Sequence, residues 1–150
     1  MIEKQDCKRL FFIILSVLLL FAGGMIYLNF RPHTLQMFSW LKFIGAENLF
    51  RQKEFKNDSE FLSFLIFSIP NGLWSLSAII LFGEIWRESK KSFLFYTVLF
   101  SSANILFEIL QLFRWISGTF DYLDILVLLI SVILGILIYK YFIWRNSYES

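Results

Sequence analysis

Apolar residues in this chain occur in long, nearly unbroken runs rather than in the short alternating patterns of soluble helices and strands. A helix needs about 20 apolar residues to cross a hydrocarbon layer about 30 Å thick. The pattern predicts four transmembrane helices, of which the first, third and fourth lie at about Leu10–Leu28, Phe93–Phe113 and Asp121–Trp144.

The second span in chain order lies in an apolar region between the first and third spans, and this region is interrupted by Pro70-Asn71-Gly72. It fits either one kinked span, Phe61–Phe82, or a span that begins at Pro70, with Ser68 as a nearby N-cap, and ends at Arg87. Proline suits the first helical turn, and the second version rises about 27 Å, enough to cross. We favour the second version, which leaves the preceding residues as an interfacial or re-entrant segment.

The first loop is long and only partly hydrophilic. Its residues Thr34–Ile44 carry apolar side chains at helical spacing, namely Leu35, Phe38, Leu41 and Ile44. This spacing is typical of a helix that lies in the membrane surface. The predicted fold is therefore all-α, a polytopic membrane bundle of about four transmembrane helices plus one interfacial helix.

Composition agrees with one membrane domain over residues 1–150: 57% of the residues are hydrophobic, and mean hydropathy is +0.63. The net charge of +2 comes from scattered basic residues, so a nucleic-acid partner is not expected. The single cysteine, Cys7, and the single histidine, His33, argue against a disulfide or a Cys/His metal centre. We expect no metal and no cofactor.

Basic residues near the spans predict the orientation, because lysine and arginine are enriched in cytoplasmic flanks. They cluster before the first span and between Gly83 and Ser92, whereas the loop before Asp121 holds only Arg114. We expect both termini in the cytoplasm and the first and third loops outside. The first span is longer than the core of a signal peptide, so we interpret it as a retained anchor.

Two of the predicted spans carry polar stripes. Residues spaced three and four apart share one helix face, and such faces contact other helices or water rather than lipid. The third span carries Ser101, Asn104, Glu108 and Gln111 at this spacing, and the fourth carries Asp121, Asp124, Leu128, Ser131 and Gly135.

These stripes meet at the external ends of their spans, where Asn71 and Ser75 of the second span are expected to join them. Carboxylates crowded at membrane depth can act as general acids, bases or proton relays, so Glu108, Asp121 and Asp124 are the candidate catalytic residues. Arg114 could hold a phosphate or carboxylate of a ligand. The predicted ligand-binding set is Asn71, Ser75, Glu108, Gln111, Arg114, Asp121 and Asp124.

A packing role is the alternative for the same residues. Glu108 and Arg114 could form a buried ion pair, Asp121 could cap the fourth helix, and Gln111 could bridge helices. Glu84, near Arg87, is expected to be interfacial rather than functional.

At these positions the chain resembles the VanZ-like family of small bacterial membrane proteins, over about residues 70–139. The resemblance rests on Pro70-Asn71-Gly72-Leu73-Trp74, Glu108-x-x-Gln111, Asp121-x-x-Asp124 and Gly135. The last motif departs from the usual family pattern, since Gly118, Leu128 and Ser131 stand where arginine, asparagine and glycine are usual.

The resemblance implies four or five membrane helices and an association with resistance to glycopeptide antibiotics such as teicoplanin. We therefore expect a protein of the bacterial inner membrane that binds or modifies an envelope lipid or lipid-linked precursor. A membrane enzyme or small proton-coupled carrier is one alternative, and a structural subunit that pairs with another membrane protein is a second. Whether any reaction is catalysed stays open at this stage.

Overall fold

The computed structural model describes residues 2–30, 42–43, 45, 60–116 and 120–144. Most of the segment predicted as an interfacial helix, Thr34–Ile44, lies outside these residues. The described chain forms five α-helices, the last of which continues as a π-helical segment, Tyr139–Trp144. The α-helices are α1 (Ile2–Phe30), α2 (Glu60–Phe67), α3 (Ile69–Ile85), α4 (Lys90–Leu112) and α5 (Tyr122–Ile138).

Three helical stretches are long and apolar enough to cross a membrane: Asp6–Phe30, Lys90–Leu112 and Tyr122–Trp144. They match the three runs predicted from sequence, with ends shifted by a few residues. Large apolar side chains are exposed along all three, as an apolar solvent allows. The regular elements of the described residues are therefore all helical, and their exposed apolar surface is that of a membrane protein.

The interrupted apolar region forms two helices, α2 and α3, separated by Ser68 alone. Pro70 lies in the first turn of α3, as predicted. Ser68 occupies the N-cap position, but its backbone is helical and its side chain makes no capping hydrogen bond, so the predicted capping role is not seen. Helix α2 contacts both α1 and α3. At 17 residues, α3 is shorter than the three long helices.

Helix α3 is the centre of the described bundle and contacts α1, α4 and α5. It runs antiparallel to α1, since Ser77 Oγ donates to the carbonyl of Ser16 at 2.7 Å and Trp74 Nε1 donates to the carbonyl of Leu20 at 3.1 Å. Small residues allow this close approach of two backbones in lipid.

Helix α5 packs parallel to α3 on another face. Ser131 Oγ donates to the carbonyl of Gly72 at 2.9 Å, and Gly135 receives the fully buried side chain of Ile79. A Cβ built at Gly135 would lie 2.5 Å from Ile79 Cγ2, so this contact requires glycine.

Because α1 runs antiparallel to α3 and α5 runs parallel to it, the two ends of the bundle can be told apart by their residues. The basic end holds Arg9, Arg87 and Lys90, and the carboxylate end holds Pro70 and Asp121.

Packing of α4 loosens from the basic end to the carboxylate end. Phe93 and Thr97 are its only buried residues, and both lie in its first third. Phe93 stacks on Tyr139 with ring centroids 3.7 Å apart, and Trp86 stacks on Tyr96 at 3.8 Å. Beyond Thr97, the inward-facing residues of α4 are only half-buried.

Candidate functional site

Three carboxylates from two helices converge at the carboxylate end: Glu108 of α4, and Asp121 and Asp124 at the start of α5. The backbone N–H of Asp121 and the carboxylates of Asp121 and Asp124 all lie close enough to act electrostatically on the Glu108 carboxylate. The structure thus brings the three candidate catalytic residues together, and we refer to them as the carboxylate cluster.

One oxygen of the cluster is left without a donor. Glu108 Oε2 is buried and accepts no hydrogen bond from any residue that the structure describes. A buried polar atom in this state costs on the order of 1–3 kcal/mol, so it calls for a partner outside the described protein groups. Water, a proton or a ligand donor would each supply one.

Asp121 has a structural task, as the packing interpretation predicted. Its carboxylate accepts a hydrogen bond from the backbone N–H of Leu123 at 2.9 Å, which caps α5. Asp124 follows in the first turn, where a negative charge is favoured by the helix dipole. Helix capping therefore explains the position of Asp121, but it does not explain why Glu108 has a buried oxygen without a hydrogen-bond donor.

Helix α4 ends in a Schellman motif at Arg114. Trp115 N–H donates to the carbonyl of Leu110 and Arg114 N–H donates to that of Gln111, both at 2.9 Å. Arg114 has a φ of 58°, a left-handed conformation that usually favours glycine. The turn leaves the Arg114 side chain exposed.

The buried Glu108–Arg114 pair of the packing interpretation does not form. Arg87 and Glu84 do form an ion pair, at the other end of the bundle. Arg114 therefore lies at the rim of the site instead of neutralising the cluster.

The remaining predicted residues lie on the elements expected. Gln111 of α4 and Asn71 of α3 are half-buried, and Ser75 is buried. Gly72 is level with Val127 and Ser131 of the parallel helix α5, so Asn71 and Ser75 lie deeper in the bundle than the aspartates.

Sequence reasoning missed the full burial of Ser68. Ser68 is 0% exposed, and its Oγ has no hydrogen-bond partner among the described groups. Ser68 lies one helical turn before Gly72, and Gly72 lies beside Val127 of α5. On α5, Asp124 lies one turn before Val127. The parallel register of α3 and α5 thus places this buried hydroxyl at about the depth of Asp124. The four-residue spacing from Gly72 was the available signal, but Ser68 was interpreted as an N-cap.

A second charged group lies at the basic end and was predicted to be interfacial. Glu84 and Arg87 are instead buried, at 3% and 8% exposure, and form three hydrogen bonds of 2.7–3.2 Å. The charge of Arg9 also acts on Glu84. Both oxygens of the Glu84 carboxylate accept hydrogen bonds from Arg87, so Glu84 has a role in helix packing. Glu108 lacks such a partner for its Oε2.

Among the residues described, no group of three or more Asp, Glu, His or Cys side chains is arranged to hold a metal ion. Carboxylates crowded together at a helix end can accept protons or hydrogen bonds from a ligand. Comparison with models of known protein families found no match, and comparisons with curated proteins and with solved structures found none either.

Proposed function

We propose that the chain is a VanZ-like integral membrane protein of the bacterial inner membrane, with both termini in the cytoplasm and the carboxylate end outside. There, the cluster binds the headgroup of an envelope lipid or lipid-linked precursor and so changes sensitivity to glycopeptides of the teicoplanin type. One observation carries the proposal: the buried, unmatched Oε2 of Glu108 beside two further carboxylates.

The contrast between Glu84 and Glu108 supports a binding role. Ionisable groups at membrane depth are costly and are paired when they serve packing. Glu84 meets that expectation with a double contact to Arg87, whereas Glu108 is surrounded by groups of its own sign. A ligand that donates hydrogen bonds would remove the cost at Glu108.

The rim of the site fits the rest of a lipid headgroup. Arg114 and Trp115 are exposed where α4 ends, and Phe120 and Tyr122 are exposed where α5 begins. Aromatic side chains favour the depth of lipid headgroups, and a guanidinium pairs with phosphate. Hydroxyl or ammonium groups of the same headgroup would then meet the carboxylates.

The same cluster supports a second candidate, a membrane enzyme or small proton-coupled carrier. Three neighbouring carboxylates do not all ionise readily in an apolar environment, so one of them is suited to take up and release a proton. In this function Glu108 is the proton acceptor, because Asp121 is committed to capping.

Replacing Glu108 by glutamine tests the proposal in a glycopeptide-sensitive bacterial host. We expect the wild-type chain to change the minimal inhibitory concentration of teicoplanin and Glu108→Gln to return it to the empty-vector value. Glu88→Gln is the matched control, since Glu88 is an exposed glutamate near the basic end. Membrane levels of all three proteins are measured by immunoblot.

Two results would contradict the proposal. An unchanged teicoplanin response for Glu108→Gln at equal membrane level would remove the cluster from the function. No response to the wild-type chain at all would remove the link to glycopeptides.

A further inference from the structure

We infer that α4 and its neighbours α3 and α5 enclose a blind aqueous crevice, which opens at the carboxylate end and ends near Thr97. The crevice would carry water, and with it protons or small hydrophilic groups, from one side of the membrane to Glu108 and beyond. The inference rests on packing and on unmatched polar atoms, and it does not depend on the proposed function.

The first support is a gradient of packing along one face of α4. Phe93 and Thr97 are 0% and 1% exposed, so the helix is held tightly near the basic end. Four, seven and eleven residues after Thr97, the same face presents Ser101, Asn104 and Glu108, which are only half-buried. A helix packed tightly at one end and loosely at the other leaves a wedge of space.

The second support is that the facing residues of this wedge are polar or small, apart from Leu128 of α5. Phe93 stacks on Tyr139 and Glu108 meets the aspartates, which fixes the antiparallel register of α4 and α5 at both ends. This register sets Thr97 level with Gly135 and Ser101 level with Ser131. If lipid tails filled the space between α4 and α5, we would expect large apolar side chains to line most of it.

The third support is a set of buried polar atoms that no described group satisfies: Thr97 Oγ1, Glu108 Oε2 and Ser68 Oγ. Such atoms are costly in an apolar interior, and in membrane and soluble proteins they are commonly hydrogen-bonded to internal water. Thr97 and Glu108 lie about 16 Å apart along the helix axis at ~1.5 Å per residue. Water that satisfies both would therefore reach about halfway across the hydrocarbon layer.

The inner end of the wedge is closed by aromatic rings. Phe93 and Tyr139 are both buried, and their rings stack nearly parallel, at an angle of 19°. Trp144 lies next to Tyr139, with ring centroids 5.9 Å apart. A crevice sealed in this way admits water from one side only and conducts nothing across the membrane.

Cysteine accessibility tests the inference directly, because the chain has a single cysteine that Cys7→Ser removes. In this background, Ser101→Cys and Asn104→Cys are each treated with a charged, membrane-impermeant methanethiosulfonate. Ser102→Cys is the matched control: it is adjacent to Ser101 but lies on the exposed face of α4, which contacts lipid in the bilayer. Trp115→Cys marks the carboxylate end and Glu88→Cys marks the basic end.

We expect Ser101→Cys and Asn104→Cys to react from the side on which Trp115→Cys reacts, at least tenfold faster than Ser102→Cys. Reaction of the two marker variants from opposite sides shows that each preparation is inserted and folded. If positions 101 and 104 are as unreactive as position 102, or react from the side of Glu88→Cys, the crevice does not exist. Labelling needs no activity, so this result and the teicoplanin result can fail separately.

Discussion

Replacing Arg87 by methionine is expected to destabilise the bundle by about 3 kcal/mol, the low end of the range for removing one partner of a buried ion pair. Methionine keeps much of the volume of arginine but leaves the Glu84 carboxylate buried without its two-nitrogen contact. The measurement is unfolding by SDS titration in mixed micelles, followed by far-UV circular dichroism.

Two variants control this result. Lys90→Met removes an exposed charge at the same end and is expected to change stability by less than about 0.5 kcal/mol. Glu84→Gln combined with Arg87→Met removes the stranded charge and should recover more than half of the loss. An Arg87→Met protein as stable as the wild type would mean that the pair is solvated rather than buried.

Replacing Gly135 by alanine is expected to cost about 2 kcal/mol, although alanine normally favours a helix interior over glycine. The added Cβ would lie 2.5 Å from Ile79 Cγ2 and 2.9 Å from Ile79 Cβ. Ile79 is fully buried at the centre of the bundle, so it cannot move aside without shifting α3 against α5. The same SDS titration measures the loss.

Gly24→Ala is the matched control, since it also lies inside a membrane helix. No atom outside its own helical surroundings comes within 4 Å of a Cβ built there. We expect this variant to be as stable as the wild type or more stable by up to about 1 kcal/mol. Equal effects of the two alanines would contradict the close packing of α3 on α5.

The three long helices could be predicted from sequence because the bilayer imposes a simple requirement. A span must be apolar over about 20 residues and must satisfy its own backbone, and the runs before Phe30, Leu112 and Trp144 do both. The region around Pro70 was harder to predict. Proline removes one backbone donor, but whether the helix stops or continues depends on the dihedral angles of Ser68, which tertiary packing decides.

The convergence of Glu108, Asp121 and Asp124 was also predicted, because helical spacing fixes a face and the short loop fixes the level. The outcome for Arg114 was not predictable in this way. Its side chain is directed by a left-handed turn that sequence patterns assign to glycine. Burial of Glu84 with Arg87 was missed because arginine at a span end normally extends to the interface.

The central claim is that the carboxylate cluster is a binding site rather than a packing contact. The most direct test is a cryo-electron microscopy map of the chain in nanodiscs of bacterial lipid, at a resolution that shows bound lipid. We predict non-protein density within hydrogen-bonding distance of Glu108 Oε2, continuous with a headgroup near Arg114. A cluster free of such density, with Glu108 satisfied entirely by protein groups, would contradict the claim.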